Sequence, residues 1–126
     1  MLRHAFATIG AALAAGGALA GDAGIERKIF DRMDVPAGYE AVVGSADLPD
    51  GMSIGRHTHA GVEFAYVVSG EVEFLIEGRE PVRVKAGGFM KIDSGKIHDA
   101  KALGGPGKVV ATWVVEKGKP LASPAK

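Results

Sequence analysis

Short runs of alternating or β-branched residues repeat along the chain from Tyr39 onward, and turn residues separate them. None of these runs has the 3.6-residue apolar spacing of an amphipathic helix. Repeated short strands are typical of an all-β sandwich or barrel. The predicted strands are Tyr39–Ser45, Met52–His59, Val62–Val68, Glu71–Glu77, Pro81–Lys85, Phe89–Ile92, His98–Ala102 and Lys108–Val115.

Two stretches within this pattern, Phe64–Val68 and Val109–Val115, are apolar on both faces instead of alternating. Both faces of such strands must be covered. In a barrel one face looks inward, so the outer face needs the N-terminal segment, a second sheet or another subunit. We therefore expect a homodimer.

The start of the chain has the pattern of a secretory signal peptide. Arg3 precedes an uncharged run over residues 5–20 that ends in Ala18-Leu19-Ala20, small residues that suit a cleavage site. The alternative is an Ala-rich helix of the fold, but each of its three glycines would weaken that helix by about 1 kcal/mol relative to Ala. We predict cleavage near Ala20 and a periplasmic or secreted protein.

The remaining chain divides into three parts by the same reasoning. Residues 21–38 form an N-terminal extension, residues 39–116 form the barrel, and residues 117–126, with Pro120 and Pro124, form a loose C-terminal tail.

Charge balance, hydropathy and the lack of Cys exclude several classes of partner and of stabilising bond. Fifteen Lys and Arg residues balance fifteen Asp and Glu residues, and aromatic residues make up 6% of the chain, so there is no basic stripe for nucleic acid. Beyond the leader, no window has the eighteen or so apolar residues of a membrane span. The chain contains no Cys, so no disulfide can stabilise an exported domain.

The candidate chemistry lies in three histidines and one carboxylate. His57 and His59 are two residues apart on a predicted strand, so their side chains point to the same face. Glu63 follows after a gap that permits a turn, and His98 arrives from a later strand. A lone surface histidine is usually only solvated or packed, but three imidazoles and a carboxylate converging inside a barrel make a divalent-metal site.

These residues resemble the motifs of the small single-domain cupins. The first cupin motif is matched without a gap by Gly51, His57, His59, Glu63 and Gly70. The second motif is matched by Gly87, Gly95 and His98, while Asp93 stands where Pro is usual and Ala102 where Asn is usual. The departures touch a turn and a strand and leave the histidine in place.

The resemblance covers about Tyr39 to Val115 and implies a jelly-roll barrel, the double-stranded β-helix. It also implies one divalent transition metal bound by His57, His59, Glu63 and His98. Nitrogen and oxygen ligands admit Mn, Fe, Ni, Cu or Zn, so the identity of the metal stays open.

Function is less constrained than the fold. Four protein ligands on an octahedral ion leave two positions for a small-molecule ligand or substrate. The leading hypothesis is a metal-dependent oxygenase acting on a small oxygen-rich substrate. The alternatives are a non-catalytic module that binds a small ligand or the metal, and a metal-dependent isomerase or decarboxylase.

No catalytic residue beyond the metal ligands is identified. Strand parity predicts a small apolar pocket, with Ala65 and Val67 inward. Tyr66 and Asp99 are expected to face outward, and Trp113 is expected to be a core residue.

Overall fold

The computed structural model describes residues 24–126, and the proposed signal peptide over residues 1–20 lies outside them. Strands make up most of the described chain, which confirms the all-β prediction. They are Glu26–Val35 (β1), Tyr39–Leu48 (β2), His57–Thr58 (β3), Gly61–Ile76 (β4), Val82–Lys85 (β5), Phe89–Ile92 (β6), His98–Glu116 (β7) and Ser123–Pro124 (β8). A 3-10 turn, Pro36–Gly38, joins β1 to β2. Over residues 24–126, no helix is long and apolar enough to cross a membrane.

Two long antiparallel strands, β4 and β7, form the frame of the barrel. Each combines two of the predicted strands, so the turns predicted at Ser69-Gly70 and at residues 104–107 are bends within strands. The first half of β4 pairs with the second half of β7, and the second half of β4 pairs with the first half of β7. β2 extends this sheet along β7, and β5 and β6 pair with β4.

Gly70 marks the bend in β4. Its φ of 75° is a left-handed conformation that favours glycine, and a Cβ there would overlap the carbonyl oxygen of Pro106. The pairing register with β7 shifts on both sides of this point. Because both long strands fold back here, their far ends meet, and Glu63 comes to lie beside His98. This double-stranded arrangement confirms the predicted jelly roll.

Apolar side chains that alternate along these strands fill the interior. Ala65, Val67 and Val72 are fully buried, as strand parity predicted for the first two, and Phe74 packs in the same cluster. Ile92 from β6 and Leu48 from β2 belong to the same cluster. Burial of this apolar surface is the main source of stability in a domain without disulfides.

Most of the predicted N-terminal extension is part of the sheet. β1 pairs antiparallel with β2 from Glu26 opposite Asp47 to Val35 opposite Tyr39, with an irregularity between Ile29 and Asp31. β1 is exposed along almost its whole length. It therefore forms an edge strand beside the barrel mouth.

The predicted strand Met52–His59 is wrong over most of its length, because only His57–Thr58 is a strand. Gly51 and Gly55 both have positive φ, which bends the backbone out of the extended form. The segment still runs beside β7, through hydrogen bonds from Gly51 N to Ala102 O (2.9 Å) and from Ile54 N to Ala100 O (3.0 Å). This path delivers the following histidines to the interior.

The segment predicted as a loose tail has a defined place. β8 pairs with β3, with Pro124 opposite His57 and Ser123 opposite Thr58. A further hydrogen bond joins Ala125 N to Arg56 O at 2.9 Å. The C-terminal segment therefore pairs with the sheet next to the histidines. The pattern of side chains in this segment does not predict the contact.

Candidate metal centre

His57 lies on β3, and His59 follows directly after this strand. Both rings are buried, at 5% and 6% exposure, and they face the same side of the chain. Their Nε2 atoms lie 3.2 Å apart. The shared face inferred from their spacing is confirmed.

Glu63 and His98 come from the two long strands. Glu63 lies near the start of β4, and His98 opens β7, where it pairs with His57. Glu63 Oε2 lies 2.9 Å from Nε2 of His59 and 3.1 Å from Nε2 of His98. One carboxylate oxygen is therefore in contact with two of the three rings.

The structure brings together all four side chains that the sequence singled out. Each offers one ligand atom, these atoms lie within 4.8 Å of one another, and all four residues are buried. The cluster formed by His57, His59, Glu63 and His98 could hold a metal ion.

Three backbone carbonyls fix the orientation of the rings. His57 Nδ1 lies 2.7 Å from the Gly55 carbonyl oxygen, and His98 Nδ1 lies 2.8 Å from that of Lys96. His59 Nδ1 lies 2.6 Å from the carbonyl oxygen of Leu121, in the C-terminal segment. Carbonyl oxygens only accept hydrogen bonds, so each Nδ1 carries the proton.

The Nε2 atoms consequently direct their lone pairs to the middle of the cluster. In a metal site, histidine ligands usually donate the other ring N–H to a carbonyl or carboxylate in this way. The three lone pairs and the carboxylate oxygen are all hydrogen-bond acceptors. They therefore repel one another unless a cation or a proton lies between them. The residues fit a divalent transition metal with mixed nitrogen and oxygen ligands.

Protonation in the metal-free cluster favours the same chemistry. Burial, and after it the neighbouring His98, lowers the pKa of His57 from 6.5 to about 4. Burial would raise the pKa of Glu63, but its close polar contacts with His59 and His98 outweigh burial and lower this pKa from 4.5 to about 2. At neutral pH His57 is an uncharged ligand and Glu63 is a carboxylate.

His98 is shifted in the opposite direction. Burial lowers the pKa of its imidazole, but hydrogen bonds to Glu63 and to the Lys96 carbonyl outweigh burial and leave the pKa above its ordinary value of 6.5. A proton held on this ring neutralises part of the Glu63 charge. A metal ion would displace that proton, so metal binding at the cluster should release protons.

The cluster opens into a cavity of about 370 Å³, a size that suits a small molecule. Most of its walls are small and apolar, and the C-terminal segment forms one side. Ala65 and Val67, which strand parity placed in the wall, belong to the buried core instead. Lys28 and Arg27 of β1 lie at the exposed rim. The apolar wall residues include Ala46, Ile54, Phe74, Ala100, Val109, Ala111, Pro120, Leu121 and Ala122.

Trp113 is more than the core residue that its neighbours predicted. It packs against the core, but it also lines the cavity, and its indole Nε1 donates to Nε2 of His59 at 3.2 Å. The apolar neighbours of Trp113 in the sequence give no sign of this role. The role follows from strand pairing, which places Trp113 opposite Glu63.

Tyr66 lies on the outer face with 49% exposure, as predicted. The outward placement of Asp99 is wrong, because this residue is 9% exposed and its Oδ1 accepts from Gly55 N at 2.9 Å. The same glycine supplies the carbonyl that orients His57. Asp99 therefore supports the loop behind a ring of the cluster.

The cupin domain profile matches residues 45–115, more than half of the chain. The chain belongs to the cupin family. The matched stretch contains all four residues of the cluster, and the departures at Asp93 and Ala102 do not displace His98 from it.

Among curated proteins, this cupin is 30% identical over 66 residues to the dimethylsulfoniopropionate lyase DddQ of Ruegeria pomeroyi. The match covers 52% of this chain and 33% of that enzyme. The crystal structure of DddQ from the same organism superposes with a TM-score of 0.68 at 19% identity, over 80% of this chain and 51% of that one. The cupin thus spans a third to a half of the lyase it matches.

Solved structures of similar length share the fold. A Klebsiella pneumoniae protein with a double-stranded β-helix domain has a TM-score of 0.68 at 22% identity and covers 81% of this chain and 84% of its own. A cupin superfamily protein from Desulfitobacterium hafniense has a TM-score of 0.63 at 14% identity, covering 73% and 78%. These likenesses confirm the barrel.

Proposed function

We propose that this cupin holds one divalent transition metal through His57, His59, Glu63 and His98 and presents it to a small oxygen-donor ligand. The observation that carries this proposal is the convergence of four buried ligand atoms within 4.8 Å beside a cavity of about 370 Å³. A metal that only stabilised the fold would fit less well, since structural sites are normally closed and rich in Cys.

A divalent ion bound there would supply positive charge that stabilises a carboxylate or enolate oxygen of the ligand. With one carboxylate and three neutral imidazoles, the centre would keep a charge of about +1. The protein contributes apolar walls that exclude bulk water, and this strengthens electrostatic interactions inside the cavity. Anionic oxygen ligands are the class that this environment favours.

For the reaction, we propose elimination from a small carboxylate. The support is the dimethylsulfoniopropionate lyase relative, which this cupin matches over part of its length. In such an elimination a base takes a proton from the carbon next to the carboxylate. That electron pair forms the carbon–carbon double bond, and the carbon–sulfur pair leaves with dimethyl sulfide.

Oxygenase chemistry is the second candidate, and the cavity lining favours it. Elimination needs a base, whereas the ionisable lining residues outside the cluster, within residues 24–126, are the rim cations Arg27 and Lys28. An isomerase or decarboxylase would also need a proton-handling group. A redox-active metal held by the cluster would supply oxidation by dioxygen, which needs no base from the lining.

Metal analysis tests the centre first. We expect about one metal ion per chain in the protein purified from its native host, and loss of that metal in Glu63→Gln. The matched control is Glu73→Gln, which removes a charge from the same strand at a residue that pairs with Arg83 at 3.4 Å. Absence of metal from the wild type, or retention in Glu63→Gln, would overturn the centre.

Activity assays on the metal-loaded protein then separate the reactions. Release of dimethyl sulfide from dimethylsulfoniopropionate would support elimination. Oxygen uptake with catechols or diketones, without that release, would replace elimination with oxygenase chemistry. Tight binding of carboxylates without turnover would make the protein a binding module.

We also propose that the protein is exported and cleaved near Ala20. The pattern that supports export is Arg3 followed by the uncharged run to residue 20. N-terminal sequencing of the protein from a periplasmic fraction tests it. A protein that keeps Met1 and stays in the cytoplasm would contradict the proposal.

A homodimer is the proposed oligomer. Phe64, Tyr66 and Phe89 lie together on the outer face, where β4 pairs with β6, and they are 46%, 49% and 68% exposed. An apolar patch of this kind on a sheet is typical of an interface. Light scattering should give twice the chain mass for the wild type and the single mass for Phe89→Glu. A monomeric wild type would refute the dimer.

A further inference from the structure

The side chain of Trp113 reaches the metal centre from β7. Its ring centroid lies 5.6 Å from that of His59, with the planes tilted by 51°, and its Nε1 lies 3.2 Å from His59 Nε2. Nε2 in turn lies 2.9 Å from Glu63 Oε2. The indole N–H is therefore directed at the middle of the cluster.

This hydrogen bond uses the lone pair that a metal ion would need. His59 Nδ1 carries a proton, since it donates to the Leu121 carbonyl oxygen at 2.6 Å. The other ring nitrogen, Nε2, then offers its lone pair to the indole N–H of Trp113. A metal ion bound to Nε2 takes this lone pair, so the indole N–H loses its acceptor.

The neighbouring side chains on the same face of β7 offer no replacement acceptor. Ala111 and Val109 line the cavity on the same face of β7 as Trp113, and the Trp113 ring packs over Gly44. An indole N–H that is left unpaired in an apolar cavity is unfavourable. An acceptor atom of a ligand that occupies the cavity next to the metal would restore this hydrogen bond.

We propose that Trp113 donates its indole N–H to an oxygen atom of the ligand held at the metal centre. The proposal rests on the metal centre proposed above and deepens it. Trp113 then selects ligands that offer two acceptor oxygens close together, one for the metal and one for the indole, as a carboxylate does. A ligand that offers only a metal-binding sulfur gains nothing from Trp113, because sulfur is a weak acceptor.

Cobalt(II) substitution gives a direct test, because the visible absorption of bound Co²⁺ changes when a ligand enters its coordination sphere. Acetate and ethanethiol are titrated separately into the cobalt forms of wild type, Trp113→Phe and Thr112→Val. Thr112→Val is the matched control, since it removes a donor from the adjacent residue of β7, whose side chain lies on the opposite face. Circular dichroism checks that each variant is folded.

We expect Trp113→Phe to weaken acetate binding about 10-fold or more, as loss of a hydrogen bond to a charged group does. Ethanethiol binding should change less than about twofold under the same principle, and Thr112→Val should resemble wild type with both ligands. Equal acetate affinity in wild type and Trp113→Phe would overturn the inference about Trp113 and would leave the metal centre standing. Failure of the wild type to bind cobalt would overturn the metal centre itself.

The wild type supplies a second measurement that needs no variant. Trp113 is the single tryptophan of the chain. Fluorescence excited at a wavelength that tyrosine does not absorb therefore reports on this ring. We expect Zn²⁺ to shift its emission and acetate to shift it again once zinc is bound. An emission spectrum that acetate leaves unchanged, while acetate binds the cobalt form, would contradict a hydrogen bond from Trp113 to the ligand.

Discussion

The buried His57 makes the stability of the metal-free protein depend on pH in a calculable way. Its pKa is 6.5 in the unfolded chain and about 4 in the fold, chiefly because of burial. Above pH 6.5 the ring is neutral in both states and has no effect on stability. Below pH 6.5 the unfolded chain binds a proton that the folded chain does not, so stability falls until the folded pKa is reached.

The size of this loss follows from the pKa difference. One pKa unit corresponds to about 1.4 kcal/mol, so the His57 contribution falls by about 2 kcal/mol between pH 7 and pH 5, and by about 3 kcal/mol at pH 4. His98 acts in the opposite sense, because its raised pKa makes protonation favour the fold as pH falls. The two contributions must therefore be separated by a variant.

His57→Gln provides that separation. Glutamine is neutral at every pH, and its amide can still donate to the Gly55 carbonyl that orients His57. Urea unfolding of both proteins after chelation, at pH 7, 6, 5 and 4, gives the difference in unfolding free energy. We expect this difference to move by about 3 kcal/mol in favour of the variant from pH 7 to pH 4. A difference that stays constant with pH would refute the account of His57.

Three further predictions concern other parts of the molecule. Phe74→Ala should lower the free energy of unfolding by about 3–5 kcal/mol, because Phe74 is among the largest fully buried side chains; urea denaturation measures it. Gly61→Ala should prevent stable folding, since its Cβ would overlap the Val114 carbonyl oxygen, and a native circular dichroism spectrum would contradict this. Deletion of residues 120–126 should weaken zinc affinity about 10- to 100-fold in a chelator competition, through loss of the carbonyl that orients His59, while deletion of Lys126 alone should not.

The ligand set was predictable because its signal is carried by residue type and spacing. Two histidines at a spacing of two lie on the same face of a strand, and the alternation of Val72, Phe74 and Ile76 fixes which face of β4 is buried. These rules act within a few residues along the chain. They gave the barrel and the four residues of the cluster, which the structure places together.

The parts that sequence reasoning missed depend on long-range pairing and on the backbone. The short β3 and the place of the C-terminal segment are set by their mutual pairing across more than sixty residues, and neither stretch alternates. Glycines with positive φ at 51 and 55 turned a predicted strand into an irregular segment. Asp99 is buried where its Oδ1 accepts from a distant amide, Gly55 N, a contact that local alternation does not encode.

The three acceptors that orient the histidine rings are backbone carbonyls and not side chains. This matters for comparing cupin sequences and for moving the site into another protein. Every residue has a carbonyl, so Lys96 or Leu121 could be replaced by many others without loss of its hydrogen bond to a ring. An alignment of residue types would then score these positions as variable although the ring geometry depends on them. Transplanting only the four ligands into another barrel would leave His59 Nδ1 without this acceptor, because Leu121 lies 62 residues further along the chain.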